Sequence, residues 1–327
     1  MEEGYSVLIF PEGHRCDEKQ QIGHFYDGAF YLSEKLGLDI LPIVILGNAN
    51  CIAKGDLFFV CHAGTRFTLM PIIGRNDSSW GSTYRERRKS IHKWFKEEYD
   101  RQMDGFVNTD NKYYVNLLFQ NYIYKGPVTE WYMRVKVRME NNYKQFNEMI
   151  PKCARITDIG CGYGFLDYML MFMSRDRYVT GIDYDEEKIA VANHCFSKNE
   201  RINFLSCNAI DAELPASDVF LMNDMLHYMP YEKQQALIEH CMQNLQPGGC
   251  IIIRDGNSSN EKGQKVTKWT EILSTRIFRF NKTVGKLYFT SFERISAIAE
   301  QNGFRVVSHF ANDDTTSNEI YVLKKKT

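Results

Sequence analysis

From Ala154 onward, short apolar runs alternate with segments in which apolar residues recur at helical spacing. The apolar runs predict strands at Arg155–Ile159, Tyr178–Asp183, Ile202–Asn208, Asp218–Asn223 and Cys250–Arg254. The segments between them predict helices at Gly164–Met173, Glu186–Phe196 and Glu232–Leu245. Alternating strands and helices are typical of a doubly wound parallel sheet that is covered on both faces. We therefore predict an α/β, Rossmann-like fold for this region.

The last part of the chain departs from this alternation. A helix predicted at Phe292–Asn302 precedes two strands, Arg305–His309 and Glu319–Lys324, which have only a loop between them. Two strands that are joined by a loop, without a crossover helix, pair antiparallel. We therefore expect a mostly parallel, seven-stranded sheet with an antiparallel edge.

The first 80 residues have a different pattern, in which Gly and Pro separate short apolar runs. These runs predict strands at Ser6–Phe10, Ile40–Leu46, Leu57–Cys61 and Arg66–Ile73, with a helix at Gly28–Leu36. Residues 81–150 are helical and rich in aromatic residues, with one helix predicted at Glu130–Met149. We expect a partial α/β domain (1–80), a helical linker and cap (81–150) and the Rossmann-like domain (151–327). Because the chain starts almost directly on a strand, we expect further sequence ahead of Met1.

Composition excludes several classes of protein. Of the 327 residues, 44% are hydrophobic and 25% are charged, which is an ordinary globular balance. The net charge of −1 argues against a nucleic-acid partner. No apolar run approaches the roughly 18 residues of a membrane span. The nine cysteines form no Cys-x-x-Cys pair, which predicts no metal site and favours a reducing cytoplasm.

The segment Asp158–Gly164 carries three glycines, Gly160, Gly162 and Gly164, between a predicted strand and a predicted helix. Glycines let a backbone turn sharply and approach a ligand, although glycines in such turns often bind nothing. Asp183 lies at the end of the next strand, where a carboxylate can accept hydrogen bonds from ribose hydroxyls. The combination predicts a nucleoside-containing cofactor.

The spacing of the glycines distinguishes between cofactors. A dinucleotide site has the pattern Gly-x-Gly-x-x-Gly for a pyrophosphate, whereas here the third glycine comes one position earlier and Phe165 follows it. Asp158, directly before the glycines, would repel a pyrophosphate and would suit an ammonium group. S-adenosylmethionine carries an ammonium group and no phosphate, so it is the cofactor that we predict.

These motifs resemble those of the class I S-adenosylmethionine-dependent methyltransferases, over the whole of residues 150–325. The resemblance implies cofactor contacts from Asp158, Gly160, Cys161, Gly162, Gly164, Asp183, Tyr184, Asn208, Ala209 and Asn223. Asn208 stands where the family often has Asp, and its amide can still hydrogen-bond an adenine amino group. The segment Leu245–Gly249 matches the turn before the family's fifth strand.

Three side chains are candidates for the chemistry of transfer. A general base is needed only where the methyl acceptor must lose a proton. Asp224 and His227 follow the fourth strand of this region, and the ordinary pKa of a histidine side chain lies near neutrality, as a base requires. The alternative is that His227 only packs against its loop. Asp255, which ends the fifth strand, is a second candidate base.

Two segments have an open interpretation. A helix predicted at Lys268–Phe280 presents one apolar face, which suits either a lid or membrane contact, or simple packing on the domain. The aromatic segment 106–132 either covers the acceptor pocket or belongs to an ordinary core.

The N-terminal segment Phe10–Arg15 resembles the Phe-Pro-Glu-Gly-x-Arg block of the glycerolipid acyltransferases, the lysophosphatidic acid acyltransferase family. The resemblance implies that Glu12, Gly13 and Arg15 bind an acyl acceptor. The family's catalysis depends on a His-x4-Asp motif upstream of this block, and no histidine precedes Phe10. We therefore expect the acyltransferase part of this chain to be inactive.

An acyltransferase segment followed by a methyltransferase domain resembles the C-terminal region of trifunctional proteins that join an MMPL transporter, a lysophospholipid acyltransferase and a methyltransferase. This implies a small, hydrophobic or lipid-linked methyl acceptor, and a cytoplasmic location at the inner face of a membrane. Two other functions stay open: a nicotinamide-dependent oxidoreductase, and a non-catalytic module that docks at the membrane.

Overall fold

The computed structural model describes residues 6–15, 21–48, 64–110, 113–139, 142–257, 287–311 and 318–326. Contacts divide the chain into two compact units, Met1–Leu117 and Leu118–Thr327. The predicted strand Leu57–Cys61 and the predicted helix Lys268–Phe280 lie outside the described residues. Among the described residues, no helix combines the length and the apolar character needed to cross a membrane.

The first unit contains helix α1 (Gly28–Leu36), strands β1 (Ile43–Leu46) and β2 (Arg66–Leu69), and the long helix α2 (Tyr84–Phe106). The two strands pair antiparallel. Helix α2 begins at a capping box, in which Thr83 accepts from the N–H of Glu86 and Glu86 accepts from the N–H of Thr83. Buried apolar and aromatic residues of α2 and β1 form one of the core clusters of this unit.

The strand predicted at Ser6–Phe10 is wrong. These residues are described and form neither a helix nor a strand, and the side chains of Val7, Leu8 and Phe10 are exposed. An apolar run becomes a strand only when another strand hydrogen-bonds it. The described residues offer this segment no such pairing.

Three helices lead into the parallel sheet: α3 (Tyr113–Tyr122), α4 (Pro127–Met139) and α5 (Asn142–Met149). Gly126, with φ of 92°, and Pro127 separate α3 from α4. The single helix predicted at Glu130–Met149 corresponds to α4 and α5, whereas residues 140–141 lie outside the described part. The boundary between the two units falls within α3.

The second unit is built on a seven-stranded sheet, whose fold class was predicted correctly. Its strands are β3 (Ala154–Ile159), β4 (Arg177–Asp183), β5 (Ile202–Ser206), β6 (Ser217–Asn223), β7 (Leu245–Gly256), β8 (Phe304–Ala311) and β9 (Asn318–Lys325). The intervening helices are α6 (Phe165–Phe172), α7 (Glu186–Asn193), α8 (Tyr231–Gln243) and α9 (Phe292–Gln301). The spatial order is β5-β4-β3-β6-β7-β9-β8, and only β9 runs against its neighbours.

The sheet is apolar on both faces because helices cover both. Continuous buried runs occur in β6 and β7, as expected of central parallel strands. The main core cluster joins these strands to α8 and α9. The order of strands reverses at β3, whose neighbours are β4 and β6. In open α/β sheets, ligands bind outside the carboxyl ends of the strands at this point.

Arg177, the first residue of β4, stabilises the opposite edge of the sheet. Its guanidinium is fully buried and donates to the backbone oxygens of Asn147, Ile150, Pro151 and Leu170, and to Oδ1 of Asn147. These oxygens lie at the C-terminal ends of α5 and α6, where helix carbonyls lack intrahelical partners and attract positive charge. Burial lowers the pKa of Arg177 to about 10, so the side chain stays charged at neutral pH.

Replacing Arg177 with Met is expected to lower the free energy of unfolding by about 3 to 5 kcal/mol, because several buried carbonyls lose their donor at once. Arg155→Met is the matched control, since Arg155 is exposed on the neighbouring strand β3. Urea unfolding of the two variants measures the difference. Equal stabilities would show that the buried guanidinium is not a structural requirement.

Candidate active site

The glycine loop that follows β3 lies at the carboxyl edge of the sheet, where the strand order reverses. The N–H groups of Gly160 and Cys161 donate to the carbonyl oxygen of Ile182, at 2.7 and 3.1 Å. Gly164 is the N-cap of α6. The loop therefore joins two adjacent strand ends and delivers the chain into a helix, as the sequence predicts.

The three glycines have different roles, although each has a positive φ, between 57° and 79°. A Cβ on Gly160 would lie 2.9 Å from Cβ of Met225, and one on Gly164 would lie 2.5 Å from the ring of Phe204. A Cβ on Gly162 would have no neighbour within 4 Å. Gly160 and Gly164 are therefore required for packing, whereas Gly162 borders open space that a ligand could use.

The carboxylate of Asp183 is held at the end of β4 by two backbone donors. Its Oδ2 accepts from the N–H of Gly162 at 2.8 Å, and its Oδ1 accepts from the N–H of Asp185 at 2.9 Å. Each oxygen keeps further capacity to accept hydrogen bonds, as ribose hydroxyls require. Tyr184, the next residue, is exposed beside it.

Two buried carboxyl groups lie behind the loop. Asp158 is 2% exposed and Asp167, in the first turn of α6, is fully buried. No donor among the described residues reaches Oδ1 of Asp158 or either carboxyl oxygen of Asp167. Burial raises the pKa of both groups, and the proximity of Asp167 further raises the pKa of Asp158. The surroundings of the loop thus favour a cationic group and disfavour a pyrophosphate.

Cys161 lies in the same loop and faces these carboxylates. Desolvation raises the pKa of its thiol, and the nearby charges of Asp167 and Asp158 raise it further. The side chain is therefore a neutral thiol at neutral pH. A contact from Cys161 to a cofactor would be a packing contact.

The aromatic residues of α3 and α4 support the glycine loop. The sequence predicts that their segment either covers the acceptor pocket or belongs to an ordinary core. The hydroxyl of Tyr122 donates to the carbonyl oxygen of Tyr163 at 2.6 Å, and its ring meets Phe165 edge-on. Tyr132 packs against Tyr163 and Phe165. Tyr122 is buried, so its role is that of a core residue.

Asn208 and Ala209 follow β5 and form a local turn. Oδ1 of Asn208 accepts from the N–H of Ile210, and its Nδ2 donates to Asp211. Ala209 is buried in the core. The amide of Asn208 is therefore already positioned by its own turn, and the predicted adenine contact stays a prediction.

A polar cluster occupies the end of β6. Oδ1 of Asn223 accepts from Asn142 and from Arg254, at 3.3 and 3.4 Å. Asp224 has a left-handed backbone with φ of 55°, and its carboxylate pairs with the buried Arg254 and accepts from Asn318. Because Arg254 occupies this carboxylate, the geometry favours a positioning role for Asp224 over a role as a base.

His227 and Asp255 form a buried pair at the same edge. Nδ1 of His227 lies 2.5 Å from Oδ1 of Asp255, and the N–H of His227 donates to Oδ2 at 3.1 Å. The N–H of Gly256 donates to Oδ1 of Asp255. The two residues that the sequence presents as alternative bases are thus a hydrogen-bonded pair, in which Asp255 orients the imidazole.

Sequence reasoning missed Asp167 and the pairing of His227 with Asp255. The available signal for Asp167 is its presence in the otherwise apolar segment Phe165–Phe172. No local pattern shows the pairing, because it depends on how β6 and β7 align.

In the first unit, Glu12 is engaged in a loop contact. Its Oε2 accepts from the N–H of Gly23 at 2.7 Å. Gly13 has φ of 69°, which the turn requires, and Arg15 is exposed. The predicted acyl-acceptor contacts of these residues stay predictions.

Comparison with known families assigns the two parts of the chain. Residues 156–249 match the family model described as a methyltransferase domain, and residues 1–46 match the acyltransferase model. Part of the second unit is therefore similar to methyltransferase domains. The predicted methyltransferase class, S-adenosylmethionine as its cofactor and the N-terminal acyltransferase resemblance are thereby confirmed at the level of the domains.

Individual relatives match only parts of the chain. A carboxy-S-adenosyl-L-methionine synthase of Campylobacter concisus is 26% identical over 39% of this chain and 54% of its own length. O-methyltransferase 3 of Dictyostelium discoideum is 22% identical over 53% of this chain and 41% of its own. A chloroplastic 1-acyl-sn-glycerol-3-phosphate acyltransferase of Brassica napus is 32% identical over 23% of this chain and 22% of its own. The chain therefore spans about half the length of these methyltransferase-like relatives, or less.

The different roles of the glycines in the loop after β3 predict different effects of substitution. Gly164→Ala is expected to lower the free energy of unfolding by more than about 2 kcal/mol, because backbone strain adds to a clash with Phe204. Gly162→Ala should lower it by only about 1 kcal/mol, from backbone strain alone, and should mainly weaken cofactor binding. Denaturant unfolding and cofactor titration separate the two effects. Equal losses of stability would contradict the assignment.

Proposed function

We propose that the second unit transfers a methyl group from S-adenosylmethionine to a small, hydrophobic or lipid-linked acceptor, with His227 as general base. The observation that carries this proposal is the buried hydrogen bond between His227 and Asp255, at the same sheet edge as the glycine loop. A paired histidine and carboxylate is the usual arrangement for removing a proton from an acceptor hydroxyl.

The residues of the loop fit the cofactor. Asp183 would accept the ribose hydroxyls, Gly162 leaves room for close approach, and Asp158 suits the ammonium group. Tyr184 and the turn at Asn208 and Ala209 would border the nucleoside, and Asn223 and the backbone of Cys161 would border the methionine part. When bound, S-adenosylmethionine supplies an electrophilic methyl group on a sulfonium.

The chain's own residues would manage the proton. The carboxylate of Asp255 accepts the hydrogen of Nδ1 of His227, which assigns the basic lone pair to Nε2. An acceptor hydroxyl that donates to Nε2 becomes a stronger nucleophile as its proton moves to the imidazole, and Asp255 stabilises the resulting imidazolium. The pair Asp224–Arg254 fixes the adjoining strand ends, so that the base keeps its position.

Two observations support an apolar or lipid-linked acceptor. The imidazole of His227 lies among aromatic rings, stacked on Phe289 with ring centroids 5.5 Å apart and with Tyr228 at 4.2 Å. The chain also carries the acyltransferase match at residues 1–46. In a chain that provides the His-x4-Asp motif, Glu12, Gly13 and Arg15 would bind the acyl acceptor. Membrane proximity and the resemblance to the trifunctional proteins belong to the same proposal.

Cofactor binding is the first test. S-adenosylmethionine is expected to raise the melting temperature of the chain, and Asp183→Ala should abolish the shift because the ribose contact is lost. Asp176→Ala is the matched control, since Asp176 is exposed just before the opposite end of the same strand. Differential scanning fluorimetry measures both. No shift at millimolar S-adenosylmethionine, or a shift with a nicotinamide dinucleotide instead, would contradict the proposal.

The base is tested by methyl transfer from labelled S-adenosylmethionine to a panel of phenols, hydroxy fatty acids and phospholipids. His227→Gln and Asp255→Asn are each expected to lower kcat by about 10² to 10⁴-fold while cofactor affinity is kept. His194→Gln is the control, because His194 lies on an exposed part of the domain. Variants as fast as the parent chain would exclude His227 as the base. Binding without turnover over the whole panel would instead indicate a non-catalytic module.

A further inference from the structure

The buried carboxyl groups of Asp158 and Asp167 form a pair that the proposed transfer of a methyl group does not use. Asp158 lies at the end of β3, and Asp167 projects from the first turn of α6. The other seven residues of Phe165–Phe172 are apolar or aromatic, and all eight are buried. An aspartate in this position is costly to bury unless something compensates its charge.

The described residues do not supply that compensation. No donor among them reaches Oδ1 of Asp158 or either oxygen of Asp167. The titratable groups that influence the pair include Lys136 of α4, Tyr122 of α3, Tyr168 of α6, Cys161 of the loop and Asp183 of β4. Of these, only Lys136 is cationic, and its ammonium group lies over the ring of Tyr132.

Two neighbouring buried carboxylates cannot both ionise at low cost, so they share a proton. The charge of Asp167 raises the pKa of Asp158 beyond the effect of burial alone. Burial raises the pKa of Asp167 to about 7, and it raises the pKa of Asp158 as well. The pair therefore holds a proton near neutrality that a cation could replace.

We propose that Asp158 and Asp167 together form a proton-exchanging site for the ammonium group of the cofactor's methionine part. When the ammonium group binds, it donates N–H bonds to the two carboxylates, and the proton that they shared leaves to the solvent. The inference rests on the proposed cofactor and adds Asp167, on which no contact was predicted from the sequence. Asp158 alone would bind the ammonium group without this release.

The consequence is a cofactor affinity that depends on pH. Below the pKa of the pair, the bound proton competes with the ammonium group, so affinity rises as the pH rises. For the exchange of one proton, Kd changes by up to about tenfold per pH unit on the acidic side. Above the pKa of the pair, the dependence disappears.

Titration calorimetry with S-adenosylhomocysteine tests this without methyl transfer. At pH 6, in buffers of different ionisation enthalpy, the chain should release about one proton per bound S-adenosylhomocysteine. The probe 5′-methylthioadenosine lacks the ammonium group and should bind without release. Binding of S-adenosylhomocysteine without proton release would overturn the inference and leave the proposed function standing. No binding of either probe would overturn both.

Asp167→Asn assigns the effect to the pair. The variant should bind S-adenosylhomocysteine without proton release, and its Kd should change by less than about twofold per pH unit. Its affinity for 5′-methylthioadenosine should stay unchanged. The matched control Asp176→Asn should keep the full release. Because Asn removes a buried ionisable group, the melting temperature of the ligand-free variant should equal or exceed that of the parent chain. Full proton release in Asp167→Asn would overturn the inference.

Discussion

The hydrogen bond from the N–H of Gly162 to the carboxylate of Asp183, 2.8 Å long, is the constraint on which the site depends. It joins the loop after β3 to the end of β4, and the bonds from Gly160 and Cys161 to Ile182 reinforce the junction. A loop fixed in this way has one path into α6, and that path places Asp167 beside Asp158. Side chains are excluded at Gly160 and Gly164 because Met225 and Phe204 already occupy the space. The same carboxylate that shapes the loop is the one that we propose accepts the ribose hydroxyls.

The sequence predicts most of the second unit because its signals are local. Buried parallel strands are continuous apolar runs, and the helices between them have periodic apolar faces, so each element is visible within its own segment. The strand at Ser6–Phe10 failed for the opposite reason. Its apolar composition satisfies the local pattern, but a strand also requires hydrogen bonds from another segment, and no local pattern reports these.

The residues of the candidate site likewise divide into those that a local sequence pattern predicts and those that depend on long-range pairing. Asp158 and Asp183 are predictable because each ends a strand, and parallel strands bring their carboxyl ends to one edge. The hydrogen bond between His227 and Asp255 depends on the register of β6 with β7, in which Asn223 lies opposite Arg254. That register places Asp255 just beyond the turn that holds His227. A shift of one residue would point Asp255 to the other face of the sheet, so the pair is a property of long-range pairing.

The two ends of strand β4 have different roles, one in the stability of the domain and the other in the candidate site. Its first residue, Arg177, is a buried cation whose donors are all matched by carbonyl oxygens and an amide of the fold. Its last residue, Asp183, lies beside buried carboxyl oxygens of Asp158 and Asp167 that no described donor reaches. Because the fold itself supplies acceptors for the guanidinium of Arg177, this end of β4 stabilises the domain in the absence of any ligand. The unpartnered carboxyl oxygens at the other end are unfavourable in the ligand-free domain, and the proposed cationic ligand would restore stability by binding only the folded state. In the proposed site, affinity for the cofactor would therefore draw on electrostatic free energy that the fold leaves uncompensated at one end of β4.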